Sequence, residues 1–174
     1  MKRLIVKIYE KMYGRPAPEY VANYSVWQVL FKPVRKWLTN TVAPHCPFNT
    51  VRVLLYRLCG FSIGNHTHIG MQCYLDDHCY SLIRIGNGVT VSYGVYFSCH
   101  GVNQGHMPIV IEDGAYVGMR ASLISNNRNK DQHGITIGKN AVVGACSLVN
   151  CNVPDGTTAV GVPCKIIDNG ENHG

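Results

Sequence analysis

A six-residue repeat of large apolar side chains is the feature that most constrains the fold of this 174-residue chain. From residue 63 onward such a side chain returns at every sixth position within a group of three, and four groups follow one another. A small or aliphatic residue stands two positions before most of them, and glycine often follows. The large positions are Ile63, Ile69, Leu75, Ile85, Val91, Phe97, Ile111, Val117, Leu123, Ile137, Val143 and Val149. This repeat predicts short parallel strands that are joined by tight turns and wound into a prism.

The spacing between the groups predicts three loops at one corner of that prism. Three hexads make a coil of 18 residues, but the groups begin at positions 63, 85, 111 and 137, which are 22, 26 and 26 residues apart. The extra four, eight and eight residues each follow the third large residue of a coil, so stacked coils place them together. Their polar residues are Asp76, Asp77, His78, Cys99, His100, Asn103, Gln104, His106, Asn126, Asn127, Arg128, Lys130, Asp131 and His133. Surface loops accept polar residues in any protein, yet three such loops beside a flat face predict a functional site.

The first 62 residues differ from the rest in charge. They hold ten Lys/Arg and two acidic residues, a net charge of +8. Residues 63–174 hold six Lys/Arg and eight acidic residues, a net charge of −2. A basic segment of this kind suits an anionic membrane surface, a neighbouring subunit or a phosphorylated ligand. Nucleic acid is disfavoured because no nucleic-acid-binding motif accompanies the charge.

The same segment has the spacing of helices. One helix would carry Tyr20, Tyr24, Trp27 and Phe31 on one face and end or kink at Pro33. A second would be capped by Asn49 or Thr50 and closed by Gly60, with Val51, Leu54, Leu55 and Leu58 on one face. We expect both apolar faces to pack on the body of the protein rather than enter a membrane.

Eight cysteines are scattered along the chain without a Cys-x-x-Cys pair or a secretion signal. They predict reduced thiols in a cytoplasmic protein, several of them serving as small core residues. The chain also lacks a run of 18 apolar residues, so no transmembrane helix is expected.

Four stretches carry a resemblance to a known family: IRIGNGVTVSYGVYFSCH, IVIEDGAYVGMRASLI, ITIGKNAVVGACSLV and VPDGTTAVGVPCKII. Over about residues 49–168 the chain resembles the hexapeptide-repeat acyltransferases, and specifically their sugar and antibiotic O-acetyltransferases. The resemblance implies a left-handed parallel β-helix of about four to five coils, a homotrimer with active sites between subunits, and acetyl-CoA as the donor. The domains would be a basic helical segment at residues 1–62, the β-helix at 63–168 and a polar tail at 169–174.

The resemblance also implies roles for residues of the loops. The family's catalytic base is a histidine just after the third strand of a coil, and His100 in FSCHG matches it. Asp76 and Asp77 match a position that lines the acceptor pocket, although a solvated turn explains them equally well. Asn103 and His106 are further candidates for substrate binding; His106 does not match the base position, and a fold-back of the loop is left open.

Cys99 offers a rival chemistry as a nucleophile, but a Cys-His neighbour pair in sequence is weak evidence for that role. We interpret Cys99 as a packing residue. A histidine base fits the reaction better, because its pKa lies near neutrality and it can take the proton of a hydroxyl as the oxygen attacks a thioester.

For the donor, small residues at coil turns would let the pantetheine arm approach the backbone, although tight turns require small residues in any case. Basic side chains near the last coils would meet the phosphates of CoA. The implied cofactor-binding residues are Tyr116, Gly118, Arg120, Ala121, Gly144, Ala145 and Lys165. Two departures weaken this assignment: Tyr116 stands where relatives often have tryptophan, and Asn150-Cys151 replaces a common Thr-Lys pair.

The implied activity is transfer of an acetyl group to a hydroxyl of a sugar or glycan precursor in the cytoplasm, with peripheral membrane contact by the basic segment left open. Amino sugars, serine and antibiotics remain alternative acceptors. His66 and His68, both expected to point outward, keep a zinc-dependent γ-carbonic-anhydrase-like protein open, and a non-catalytic prism is the third class. We expect no metal.

Overall fold

The computed structural model describes residues 2–16, 26–101, 105–125 and 133–168. The chain divides into two compact units, Met1–Trp37 and Leu38–Gly174. The predicted helical segment, residues 1–62, therefore spans the first unit and the beginning of the second. Its boundaries, and those of the 63–168 domain, remain a prediction.

The first unit contains α1 (Lys2–Tyr13) and α2 (Val26–Trp37). Pro33 lies inside α2, which continues to Trp37, so of the two predicted effects, an end or a kink, the end was wrong. Phe31 is exposed. The predicted partners Tyr20 and Tyr24, and the side chain of Trp27, lie outside the described residues. No helix in the described ranges combines the length and the apolar character needed to cross a bilayer.

The second unit begins with a π-helical turn (Leu38–Val42), α3 (Ala43–His45) and α4 (Asn49–Leu58), followed by three stacks of short strands. The first stack is β1 (Ser62–Ile63), β3 (Ile83–Ile85), β6 (Ile109–Ile111) and β9 (Ile135–Ile137). The second is β2 (His68–Ile69), β4 (Thr90–Val91), β7 (Tyr116–Val117), β10 (Val142–Val143), β12 (Thr158–Val160) and β13 (Lys165–Ile167). The third is β5 (Tyr96–Ser98), β8 (Ser122–Ile124) and β11 (Leu148–Val149).

The strands stack in the predicted register. Ile85 of β3 pairs with Ile63 on one side and Ile111 on the other, and Ile111 pairs in turn with Ile137. All twelve large repeat positions are buried, and so are the smaller inward residues. The prediction of a parallel β-helix with helices before it is confirmed, because the repeat places one apolar column on the inside of each face.

The helix α4 packs on the first coil with a different face from the one predicted. Of the predicted face, Val51, Leu54 and Leu58 are exposed and only Leu55 packs against the core, whereas Arg52 and Val53 are buried. The physical reason is the open edge of the first coil, whose backbone carbonyls need hydrogen-bond donors. The donors come from α4, where Arg52 Nε lies 2.6 Å from Ile69 O and Arg57 Nε lies 3.0 Å from Ile63 O.

Of the predictions for the two ends of α4, one was wrong and one is confirmed. The predicted N-terminal cap was wrong: Asn49 is the first helical residue, and its side chain instead bonds to Thr67 O at 3.1 Å and to Ile69 N at 3.0 Å. The predicted closure at Gly60 is confirmed by its φ of +98° and by bonds from Gly60 N to Arg57 O and from Phe61 N to Tyr56 O. The Tyr56 and Phe61 rings, with centroids 5.6 Å apart, add the apolar contact typical of this helix end.

At the other end of the prism, β13 runs antiparallel to β12 and covers the last open strand of the second stack. The Gly-Val-Pro-Cys-Lys stretch of the sequence supplies the turn between them. All eight cysteines are free, and Cys59, Cys73, Cys79 and Cys99 are buried. The expectation that several cysteines serve as core residues is thereby confirmed.

Candidate functional site

The three loops that follow the third strand of successive coils meet at one corner. We call them the first loop (residues 76–82), the second loop (99–108) and the third loop (125–134). The first and second are joined by Cys99 N, which donates to Asp76 Oδ2 at 3.0 Å. The second and third are joined by Ser125 Oγ, which donates to Met107 O at 2.6 Å. The predicted clustering of the loops is therefore present in their described parts; residues 126–132 lie outside these.

The centre of this corner is a hydrogen-bonded pair of His100 and Asp76. His100 Nδ1 lies 2.5 Å from Asp76 Oδ2; the Asp76 side chain is fully buried, whereas 44% of the His100 side chain is exposed. Asp76 Oδ1 also accepts from the backbone N–H of His78 at 3.1 Å. Because an ionised carboxylate can only accept, Nδ1 of His100 donates, and Nε2 is left as the basic nitrogen. This arrangement presents a fixed imidazole that can take up a proton.

The neighbouring carboxylate, Asp77, is also buried rather than solvated. Asn40 Nδ2, from the π-helical turn before α3, donates to Asp77 Oδ1 at 3.1 Å. The alternative interpretation of Asp76 and Asp77 as residues of a solvated turn is therefore wrong, because both side chains are buried. Asn40 was not predicted as a site residue, because it precedes the repeat and has no motif around it.

The second loop folds back on itself, which the sequence had left open. His100 and His106 form an isolated antiparallel bridge, and Met107 N donates to Cys99 O at 2.9 Å. Both histidines are exposed. Asn103, the other predicted substrate-binding residue of this loop, lies outside the described residues.

A second imidazole that sequence analysis did not single out stands near His100. The exposed ring of His78, in the first loop, lies with its centroid 6.2 Å from that of His100 at an interplanar angle of 66°. The sequence feature that points to His78 is its place directly after Asp76 and Asp77 in the first loop.

The two cysteines of the corner are packing residues. Cys99 is fully buried, and burial, with the nearby Asp76 carboxylate, raises the pKa of its thiol to about 12. Burial and the same carboxylate raise the pKa of the Cys79 thiol to about 11. Because the thiolate is the nucleophilic form, neither thiol is activated for attack at neutral pH. This favours the interpretation of Cys99 as a packing residue.

One set of potential metal ligands occurs among the described residues: Asp76, Cys79 and His100, whose ligand atoms lie within 4.8 Å of one another. The 2.5 Å separation of His100 Nδ1 and Asp76 Oδ2 is a hydrogen-bond distance. It is shorter than the roughly 3.3 Å between two ligands at about 2.0 Å from one tetrahedral ion. The arrangement therefore fits a proton-sharing network better than a metal cage. His66 and His68 are outward, as expected, with Thr67 buried between them, and they are not part of this set.

The implied donor-binding residues lie at a different corner, between the second and third stacks. Tyr116, Arg120 and Ala145 are exposed there, and Gly144 is partly exposed. Lys165 is exposed on β13, in the same stack as Tyr116. Within one chain, the third stack separates these residues from His100, so the structure does not bring the two groups together.

Two of the implied donor contacts have a structural explanation. Ala121 is fully buried, so its side chain fills the prism interior. A Cβ at Gly118 would lie 2.5 Å from Ala145 N, which requires glycine for the stacking of successive turns. The need for small residues in tight turns therefore accounts for both positions without a ligand.

The comparisons with known proteins agree with the fold. Galactoside O-acetyltransferase of Escherichia coli K12 is 30% identical over 124 residues, which cover 62% of this chain and 56% of the relative. Serine acetyltransferase of Bacillus licheniformis is 27% identical over 157 residues, or 85% and 65% of the two chains. The chain thus spans less than two thirds of the length of either relative. No protein-family model matches it.

Among solved structures, the hexapeptide-repeat acetyltransferase VCA0836 of Vibrio cholerae superposes with a TM-score of 0.60 at 23% identity, over 83% of this chain and 93% of that one. The Vibrio protein has also been solved with acetyl coenzyme A. Relatives and structural neighbours are hexapeptide-repeat acetyltransferases, so the resemblance inferred from the sequence, and with it the left-handed β-helix, is confirmed.

Proposed function

From this likeness to the hexapeptide-repeat acetyltransferases, we propose that the protein transfers an acetyl group from acetyl-CoA to a hydroxyl of a sugar or glycan precursor. The observation that carries the proposal is the 2.5 Å contact between the partly exposed His100 and the buried Asp76. A hydroxyl is a poor nucleophile at neutral pH, and a positioned imidazole makes it a better one. The kinship with a galactoside O-acetyltransferase supports the choice of a sugar acceptor.

In this mechanism His100 acts directly on the reactants. Nε2 takes the acceptor's hydroxyl proton as the oxygen attacks the thioester carbonyl, and the C–S bond then breaks. The imidazolium returns the proton to the departing CoA sulfur, so acetyl ester and free CoA thiol are the products. No acyl-enzyme forms, and both substrates are bound at once. Asp76 acts as a positioning residue: its carboxylate holds Nδ1 and stabilises the positive charge on the ring.

The acceptor would lie beside the first and second loops. Asp77, held by Asn40, and the exposed His106 are the described side chains that we assign to acceptor binding, together with Asn103. A buried carboxylate fixed by an amide is a rigid hydrogen-bond acceptor, which suits recognition of sugar hydroxyls. Serine is the alternative acceptor because a serine acetyltransferase is among the relatives.

The proposal includes a homotrimer with the active site between subunits. Its support is the placement of Arg120, Ala145 and Lys165 at a different corner from His100. A neighbouring copy would bring its donor-binding corner against the loops of the first, and acetyl-CoA would lie in the groove between them. Free cysteines throughout the described chain support a cytoplasmic location for this reaction.

The test is an acceptor screen with acetyl-CoA, in which release of the CoA thiol is measured for simple sugars, nucleotide sugars, amino sugars, serine and antibiotics. With the accepted substrate, we expect His100→Ala to lower kcat by roughly 100- to 10,000-fold. His68→Ala, which removes an exposed histidine of β2 outside the three loops, is the control and should retain most of the turnover. An unchanged rate for a folded His100→Ala protein would remove His100 as the base, and turnover of serine alone would replace the sugar.

A further inference from the structure

Each of the two helices in the described part of the first unit exposes an apolar stripe. Residues three or four apart lie on one face of a helix. Ile8 and Met12 are four apart and Tyr13 adjoins Met12, whereas Phe31, Val34 and Trp37 are three apart. Their side chains expose between 47% and 72% of their surface. They are Ile8, Met12 and Tyr13 on α1, and Phe31, Val34 and Trp37 on α2. Large apolar side chains arranged in this way on two helices indicate a surface that is covered in the working protein.

Basic side chains flank both stripes. Lys7 and Lys11 are exposed one helical turn apart on α1, and Lys32 and Lys36 repeat the arrangement on α2. At 100° per residue, the lysines of each helix form a polar arc beside the apolar one. Residues 2–16 and 26–37 together contain eight Lys/Arg and a single acidic residue, Glu10. Both helices therefore combine an exposed apolar stripe with a net positive charge.

We infer that α1 and α2 bind the surface of an anionic lipid bilayer. Helices with an apolar arc and a lysine-rich polar arc lie in the bilayer interface, where the apolar side chains enter the acyl boundary and the lysines meet anionic headgroups. A second copy of the chain fits less well, because stacking two such surfaces would bring together two strongly basic segments. Charge complementarity thus selects the bilayer as the partner.

The aromatic residues of the stripes support the same partner. Tyr13 and Trp37 are the last residues of α1 and α2, and both rings are exposed. The Arg15 guanidinium lies 6.0 Å from the centre of the Tyr13 ring, which places a cation beside an exposed aromatic ring. Tyrosine and tryptophan rings with neighbouring basic groups are enriched at the level of lipid headgroups.

The sequence provides a direct probe of this contact. Both tryptophans of the chain, Trp27 and Trp37, lie in α2, so a Trp27→Phe protein reports on Trp37 alone. We expect its fluorescence to shift to the blue on addition of vesicles made of equal parts phosphatidylcholine and phosphatidylglycerol. Vesicles of phosphatidylcholine alone should give little shift, and high salt should reduce the shift, because salt screens the charge attraction. The full-length protein should float with the anionic vesicles in a density gradient.

Two variants separate the charge from the apolar stripe. Lys32→Glu with Lys36→Glu should weaken binding to anionic vesicles more than ten-fold, because each basic charge near such a surface contributes roughly five-fold. Phe31→Ser with Val34→Ser should abolish the blue shift. The matched control, Arg84→Glu with Lys139→Glu, makes the same change of charge at exposed β-helix positions and should bind as before.

The inference is overturned if neither vesicle is bound, if both lipid compositions bind equally, or if the control loses as much affinity as the lysine variant. Concentration-dependent self-association that Phe31→Ser with Val34→Ser removes, without lipid binding by the parent protein, would assign the stripes to a second copy instead. These measurements read lipid binding alone. A negative result for lipid binding would therefore not contradict the acetyl-transfer proposal, and absence of acetyl transfer would not contradict lipid binding.

Discussion

His100 Nδ1 and Asp76 Oδ2 lie 2.5 Å apart, although the two residues are separated by 24 positions in the chain. The contact exists because each residue follows the third strand of its coil and the coils stack in register. Tyr74 and Tyr96, which lie just before these loops on successive coils, show the same stacking. Their ring centroids are 4.7 Å apart, and the ring planes are nearly parallel. The repeat thus brings the two loops to one corner, and the contacts between the loops set the distance between the imidazole and the carboxylate.

Asp76→Asn should therefore impair catalysis more than binding. The amide keeps the shape of the side chain but cannot stabilise an imidazolium, so we expect kcat to fall by at least about 100-fold, within the range of general-base catalysis. The KM for acetyl-CoA should change little. Steady-state thiol release measures both constants. Asp113→Asn, which removes an exposed carboxylate at another corner, is the control, and equal losses in both variants would contradict a role for Asp76.

Cys99→Ala should leave the reaction intact. The thiol is buried and its pKa is raised to about 12, so it supplies no thiolate at neutral pH. We expect kcat within about two-fold of the parent, with a loss of about 1 kcal/mol in unfolding free energy from the lost packing. Thermal unfolding and thiol release from CoA check the two parts. A loss of turnover in a stable Cys99→Ala protein would revive the nucleophilic mechanism.

Asn40→Ala should weaken acceptor binding, because it removes the amide that donates to Asp77 at 3.1 Å. We expect the acceptor KM to rise about five-fold, equivalent to roughly 1 kcal/mol for one hydrogen bond, with the KM for acetyl-CoA unchanged. Asn49→Ala is a matched control, since it removes two hydrogen bonds from α4 to Thr67 and Ile69, which lie outside the three loops. That variant should lower the melting temperature without raising the acceptor KM. If both variants raise the acceptor KM equally, Asn40 acts on stability and not on the site.

Asp113 should make the fold sensitive to acid. Hydrogen bonds from Asn87 lower the pKa of the Asp113 carboxyl below its usual value. A lowered folded-state pKa stabilises the protein above the unfolded pKa, about 4, and this stabilisation is lost as the pH falls through the folded value. Asp113→Asn should therefore melt below the parent at neutral pH, with the difference shrinking below about pH 4. Melting temperatures across this range provide the measurement, with Asp168→Asn as control; a difference independent of pH would contradict the assignment.

The sequence alone predicted most of the fold and part of the site. The period of six predicted the inward positions of the β-helix up to Val149, but not Val153 and Ala159 of its last turn. The surplus residues between groups predicted that the three loops share a corner. It failed at α4, where the apolar face was expected inward. There the unpaired backbone carbonyls of the first coil accept hydrogen bonds from the Arg52 side of the helix, so that side faces inward. These acceptors exist only once the coil has folded.

What the sequence determined by itself is therefore the repeat and the stacking order of the coils, because both follow from spacing along the chain. The choice of His100 within its loop rests on the resemblance to the acyltransferase family. The tertiary structure decided the pairing of His100 with Asp76, the fold-back of His106, the approach of Asn40 to Asp77 and the separation of the loops from the implied donor-binding corner. Each of these depends on distances between side chains from different coils or from the segment before them. Such distances are fixed by stacking and edge hydrogen bonds, which local sequence periodicity does not encode.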